Sequence, residues 1–411
     1  MSCYAPGFCG THRSYIWTLN AYLAGIPAEG FPLTDHPLIY LPEGSEPASA
    51  RWRSESGAAA PKRVVIADDT ITADTAYRHA CEGTALLWRS DFQNARQLLQ
   101  ALERRIDKPR KVRRKQAEPD TAPGAAFHRH RQARAQRAHT LSMLLIPLDA
   151  DYGIPLRRAP DVRLACTEAW GAGDAASVTS LRELLGLIGA HEWRKKGVPV
   201  PALGAHIHPH YGVFAPIRSE YVGLVASAPL SGQALAFDIG TGTGVLAAVL
   251  ARRGVAKIIA TENDERALAC ARDNVARLGL EGRVEVVEAD MFPEGRALLI
   301  VCNPPWIPST PSAPIERAVY DPGGRMLHEF IAGLAAHLEP EGEGWLVMSD
   351  IAEHLGLRTR EALLAMIDAA GLKVLSRGEA RPKHPKARDT TDPLHAARAA
   401  EITSLWRLGV R

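Results

Sequence analysis

An apolar run ends at Cys302 and passes directly into Asn303-Pro304-Pro305-Trp306, four residues whose types suit one demanding task. A planar nitrogen, in an amide or an aromatic amine, is a poor nucleophile because its lone pair is delocalised into the neighbouring π system. Two hydrogen-bond acceptors placed on its N–H groups help to localise that pair and aim it at an electrophilic carbon such as a methyl. The Asn303 side-chain oxygen and the Pro304 carbonyl can supply the two acceptors, and the Trp306 ring can stack on the planar group. Pro304 and Pro305 stiffen the turn, so the arrangement is fixed before an acceptor arrives.

A second constellation lies upstream, where Asp238-Ile-Gly240-Thr241-Gly242-Thr-Gly244 follows an apolar segment and leads into V-L-A-A-V-L-A-R-R. Glycines there permit a tight turn with positive φ and let a ligand touch the backbone. The helix start offers free N–H groups to an anion. A dinucleotide fingerprint would put its third glycine at position 245, which is Val245, so the spacing favours an amino-acid-bearing nucleoside over a pyrophosphate. Glu262 closes A-T-E, where a carboxylate can accept from both ribose hydroxyls, with Asp264 as the nearby alternative. Asp290 closes E-A-D, where it can accept from an adenine amine while Met291 or Phe292 covers the ring.

Such residues act together only if they stand at neighbouring strand ends. From Gln233 the chain supplies that frame: L-A-F-D-I-G, K-I-I-A-T-E, V-E-V-V-E-A-D, L-L-I-V-C-N, W-L-V-M-S-D, K-V-L-S-R and I-T-S-L-W-R-L read as seven strands. Amphipathic helices are expected between the first five. The result is a doubly wound α/β sheet, whose ligand site belongs at the C-terminal ends of the strands.

With these motifs in this order and spacing, residues from about 205 to 350 resemble the small-domain class I methyltransferases. That family includes the glutamine N-methyltransferases of release factors and ribosomal proteins and several base-amine RNA methyltransferases. Tyr211–Glu220 is similar to the segment that the glutamine enzymes carry before their first motif. The resemblance implies a Rossmann-like domain and S-adenosyl-L-methionine as cofactor. It assigns Asp238, Gly240, Thr241, Gly242 and Gly244 to the turn at the cofactor's methionine end, Glu262 to the ribose, and Asp290 with Met291 to the adenine. Asn303 and Pro304 become the acceptor clamp, with Pro305 and Trp306 beside it, and Asn303 also counts among the cofactor contacts. Two departures stand out: Trp306 where the glutamine enzymes usually carry Tyr, and Glu262 for the commoner Asp.

Ahead of this domain the texture differs. Residues 1–60 mix Gly, Pro and Ser without a sustained period and are expected to form an irregular or disordered extension. Residues 61–200 are expected to form a mainly helical domain that recognises the acceptor. Helices are predicted over 73–105, 127–146, 161–170 and 180–196, the last opening with Ser180 and Glu183 at capping-box spacing. Within it, 104–137 carries twelve Lys/Arg against three acids and reads either as a solvated basic linker or as a segment that contacts phosphates, the second favouring an RNA acceptor. Residues 201–411 then comprise a β-hairpin around His206-Ile-His208-Pro-His210 and the methyltransferase domain. The alternating histidines are read as a packed or solvated face, with no metal site.

The remaining composition is mainly exclusive. A net charge of +3 over 411 residues says little about partners. Six cysteines without a C-x-x-C pair argue against a disulfide framework or zinc ribbon and for a reducing cytoplasm. No membrane span is expected, and Tyr15–Ile26, broken by Thr18 and Asn20, is not read as a signal peptide. The expected reaction is methyl transfer to a planar nitrogen without a metal or a covalent intermediate. The preferred acceptor is a glutamine amide in a protein of the translation machinery, because a helical domain precedes the hairpin; the alternative is an exocyclic base amine in rRNA or tRNA. A non-catalytic RNA-binding module on the same fold is the rival from another class, and the intact Asn303-Pro304 clamp argues against it. The Pro308–Gly324 segment is a candidate substrate lid.

Overall fold

The computed structural model describes residues 37–42, 48–108, 124–217, 220–311, 314–382 and 389–411. Among the described residues, six short strands precede residue 181: β1 Leu38–Leu41, β2 Ala48–Arg53, β3 Arg63–Ala67, β4 Thr84–Trp88, β5 Leu144–Leu148 and β6 Ser177–Ser180. They form one sheet in the order β1-β2-β6-β5-β4-β3. The N-terminal half is therefore an α/β unit, which corrects the expectation of a mainly helical one. Helices do occupy Ala73–Cys81, Phe92–Asp107, Ala125–Leu141, Arg163–Trp170 and Leu181–Lys196, but they accompany a sheet. The strands escaped the sequence because β4, β5 and β6 are buried at every position. A strand covered on both faces has no polar alternation and merges with the apolar faces of adjoining helices. The helix faces themselves were readable: Phe92, Ala95, Leu98, Leu99 and Leu102 are all buried.

The irregular extension expected over 1–60 is corrected in its described part, since β1 and β2 lie within it; residues 1–36 fall outside the described residues. The middle of the basic 104–137 segment, residues 109–123, also lies outside them. A hairpin does form, but one strand earlier than expected, between β7 Val198–Val200 and β8 Ala205–Ile207. Pro209 and Pro216 lack the N–H a ladder needs, and 208–217 runs without regular structure.

The C-terminal half builds the expected seven-stranded sheet from β9 Leu235–Ile239, β10 Lys257–Glu262, β11 Val284–Glu288, β12 Ala297–Cys302, β13 Leu338–Ser349, β14 Leu372–Ala380 and β15 Thr403–Val410. Their order is β11-β10-β9-β12-β13-β15-β14, with β15 antiparallel to both neighbours. Helices Glu220–Ser227, Val245–Arg252 and Glu265–Arg277 cover one face and Arg325–His337 and Arg360–Ala369 the other. Period-two alternation sends Phe237 and Ile239 to the second face and Ala236 to the first. One expected helix is missing: between β11 and β12 residues 289–296 form a loop. Pro293 and Gly295, the latter at φ +95°, break any helix there.

Leu38–Arg411 forms one compact unit. The two sheets are joined by Phe127, 2% exposed and packed among Ile307, Ile351, Leu355 and Leu394. Glu55 adds an ion pair to Arg266 at 2.7 Å.

Candidate active site

The parallel order around β9 brings the ends of β10, β9 and β12 side by side, the crevice where such sheets hold ligands. A cavity of about 480 Å³ opens there. Asp238, Gly240, Thr241, Gly242, Glu262, Asp290, Met291, Asn303 and Pro305 of the expected set all line it. Gly244 does not. It caps helix 245–252 at φ +80°, a left-handed backbone that favours glycine, while a Cβ there would meet Ala271 only at an ordinary 3.5 Å.

The turn is braced from within. Asp238 is 1% exposed and accepts from Thr241 Oγ1 at 2.6 Å and from the Ala247 N–H at 2.9 Å. Burial pushes its carboxyl up to about 6 despite those two donors. Gly242, at φ +56°, has nothing within 4 Å of its missing Cβ, whereas a Cβ at Gly240 would strike Met326. The open side of the cradle is therefore at 242. Glu262 reaches back to it: one carboxylate oxygen accepts from the Gly242 N–H at 3.1 Å and the other from the N–H groups of Asn263 and Asp264. Three bonds leave about one lone pair of the carboxylate's roughly four for a ribose hydroxyl. Asp264, the alternative, caps helix 265–277 through Arg266 and Ala267.

Asp290 accepts from Asn263 Nδ2 at 2.9 Å and pairs with Arg325 at 3.2 Å, and the Arg325 bond holds its carboxyl below the usual range. Met291, not Phe292, lines the cavity; Phe292 stacks on His337 at 4.2 Å instead. Met291 adopts φ +74° while its carbonyl accepts from Thr261 Oγ1 at 2.7 Å. A glycine cradle open at 242, a strand-end carboxylate and a neighbouring acid fit a nucleoside that carries an amino acid.

A second cavity, of about 640 Å³, lies on the other side of the β12 turn. Pro304 and Trp306 line this one, and Asn303 lines both. The Asn303 side-chain oxygen already accepts from Trp306 Nε1 at 3.0 Å, which fixes its amide plane and leaves one lone pair for an acceptor. The walls include residues the sequence did not single out for the site. Phe127, Arg131, Arg134, Arg137 and Arg182 come from the N-terminal half, Tyr320 from the segment after the turn, and Arg398 from the last helix. Glu183, expected only as a cap residue, also lines it, and burial raises its carboxyl. The Pro308–Gly324 segment proposed as a lid contributes Glu316, Ala318, Val319 and Tyr320 to this wall.

The three alternating histidines do not converge: His208 Nδ1 meets the Arg194 carbonyl at 2.7 Å, while His210 faces Asp273. Among the described residues no group of three or more His, Cys, Asp or Glu is placed to hold a metal ion.

The glycine cradle and the Asn303–Trp306 turn thus border two adjoining cavities that share Asn303, and comparison with known proteins gives the class of protein. The family model for the methyltransferase small domain matches residues 210–365. A release factor glutamine methyltransferase of Cereibacter sphaeroides is 36% identical over 174 residues, 39% of this chain and 60% of that protein. A tRNA1(Val) (adenine(37)-N6)-methyltransferase of Bacteroides thetaiotaomicron is 31% identical over 175 residues, 41% of this chain and 73% of that protein. A ribosomal protein L11 methyltransferase of Pelotomaculum thermopropionicum is 31% identical over 147 residues, 35% of this chain and 39% of that protein. The chain belongs to the methyltransferase small domain family, enzymes that take their methyl group from S-adenosylmethionine.

Proposed function

We propose that this chain methylates an exocyclic amine of an RNA base. The observation that carries the acceptor class is the cationic wall of the larger cavity. Five arginines and two histidines line it against three glutamates; Arg134 forms no ion pair among the described residues, and Arg182 acts on the Glu183 carboxyl of the same wall. An excess of guanidinium groups beside an aromatic pocket suits phosphates that flank a base. The ground for a glutamine amide was a helical domain ahead of the hairpin, and that domain contains a six-stranded sheet. The glutamine reading still has the 36% identical release factor enzyme in its favour and is the second reading.

S-adenosylmethionine, when bound, supplies a sulfonium-activated methyl carbon. Gly240, Gly242, Glu262, Asp290 and Met291 would hold it, with Asp238 and Thr241 keeping the turn in shape. Asn303 Oδ1 and the Pro304 carbonyl accept from the two N–H bonds of the acceptor amine, which restores lone-pair density on nitrogen and orients it. Trp306 fixes Asn303 through its indole N–H. Because Asn303 borders both cavities, it sets the relative position of the two reactants, where proximity and orientation supply most of the acceleration.

Labelling a cell lysate with tritiated methyl donor and purified protein tests the acceptor class: nuclease should release the label and protease should not. Release by protease alone would establish the glutamine reading. With bulk RNA, exchanging Arg134 and Arg182 for Gln should flatten the log–log salt dependence by about 1.4–1.8, since each lost phosphate contact removes roughly 0.7–0.9.

A further inference from the structure

The family match begins at residue 210, yet one side of the larger cavity is built by residues far upstream of it. The connection is concentrated in one side chain. Arg131, on helix 125–141, donates from Nη1 to Ser309 Oγ at 2.9 Å and to the Thr310 carbonyl at 2.7 Å. Its Nη2 lies 3.5 Å from Glu316 Oε2, and its guanidinium carbon sits 4.3 Å from the centre of the Tyr320 ring. Phe127, one turn earlier on the same helix, meets Tyr320 at 6.3 Å between ring centres.

All four partners belong to the segment that leaves the Asn303–Trp306 turn and returns to it. The Ile307 N–H donates to the Val319 carbonyl at 3.1 Å and the Asp321 N–H to the Ile307 carbonyl at 3.0 Å, so the two ends of the 307–321 segment meet at a bonded neck. Asp321 then accepts from the Met326 N–H at 2.7 Å, and the Met326 side chain covers Gly240. The loop thus spans from the acceptor wall to the cofactor turn. A guanidinium is suited to hold it, because its planar fork can bond several oxygens and stack on a ring at once.

We propose that Arg131 is a positioning residue of the acceptor site, through which the N-terminal unit sets the place of the 307–321 wall. This rests on the larger cavity being the acceptor pocket, whichever acceptor it takes. Arg131 touches the loop and not the reacting atoms, so its loss loosens the wall and leaves the cofactor cradle intact.

The test has two arms. Hydrogen exchange of the full-length protein reads the loop without any acceptor: in Arg131→Ala the amides of Ile307, Val319, Tyr320 and Asp321 should exchange at least tenfold faster, with β9 and β10 unchanged. Steady-state kinetics, with bulk RNA or bulk ribosomal protein according to which accepts label, should show the acceptor KM raised at least tenfold. The cofactor Kd should stay within twofold and kcat within a few-fold. Arg131→Lys keeps the charge but loses the fork, so it should fall between; it carries the same test if Arg131→Ala does not fold. Unchanged exchange in both variants would overturn the proposal, as would equal losses in cofactor affinity and acceptor KM. Label in protein instead of RNA would overturn the RNA reading and leave this inference standing.

Discussion

Replacing Asp238 by Asn isolates the cost of a buried charge beneath the cofactor turn. In the folded protein burial pushes the Asp238 carboxyl from 3.8 up to about 6, roughly two pH units. At about 1.4 kcal/mol per unit, ionising it in the native state costs about 3 kcal/mol relative to the unfolded chain. The native form holds its proton to higher pH than the unfolded form does. This contribution to stability is therefore intact below about pH 4, shrinks between pH 4 and 6, and is gone by pH 7. Asn can still accept from Thr241 or Ala247 but does not titrate. Denaturant unfolding at a series of pH values should show the stability difference between Asp238→Asn and wild type moving by about 2.4 kcal/mol toward the variant from pH 4 to pH 7. A difference that is flat across that window would refute the claim that burial dominates over the two donors.

Gly242→Val fills the one open side of the cradle, so calorimetry should detect no S-adenosylmethionine binding while the fold persists at a backbone cost of about 1–2 kcal/mol; retained binding would place the methionine end elsewhere. Asn303→Ala removes one acceptor of the clamp and leaves the glycine turn intact. Turnover should fall at least 100-fold, within the ~2.7–4 kcal/mol for one preorganised hydrogen-bonding group, at constant cofactor Kd. A matching loss of cofactor affinity would show that Asn303 binds the cofactor and does not aim the acceptor.

The catalytic half was readable because its chemistry is local in sequence. Each acid or turn that lines the smaller cavity stands at the end of an apolar run, and a parallel sheet places successive runs side by side. The N-terminal sheet was not readable, since T-A-L-L-W, L-L-I-P-L and S-V-T-S are covered on both faces and sit among stronger helical periods. The missing helix between β11 and β12 could have been found from Pro293 and Gly295. Nothing local marks Arg131, Glu183, Tyr320 and Arg398 as neighbours, because only tertiary folding brings them to one wall. Gly244 shows the opposite failure: a glycine read as ligand-facing lies outside the cavity lining and supplies the left-handed start of helix 245–252.

Phe214, Tyr221, Asn303 and Ala318 line both cavities, so the two share a border of four residues. Whatever factor S-adenosylmethionine imposes on the acceptor's affinity, the acceptor must impose on S-adenosylmethionine, and the demethylated product enters the same bargain. Any coupling measured between the two ligands would therefore report on those four shared residues.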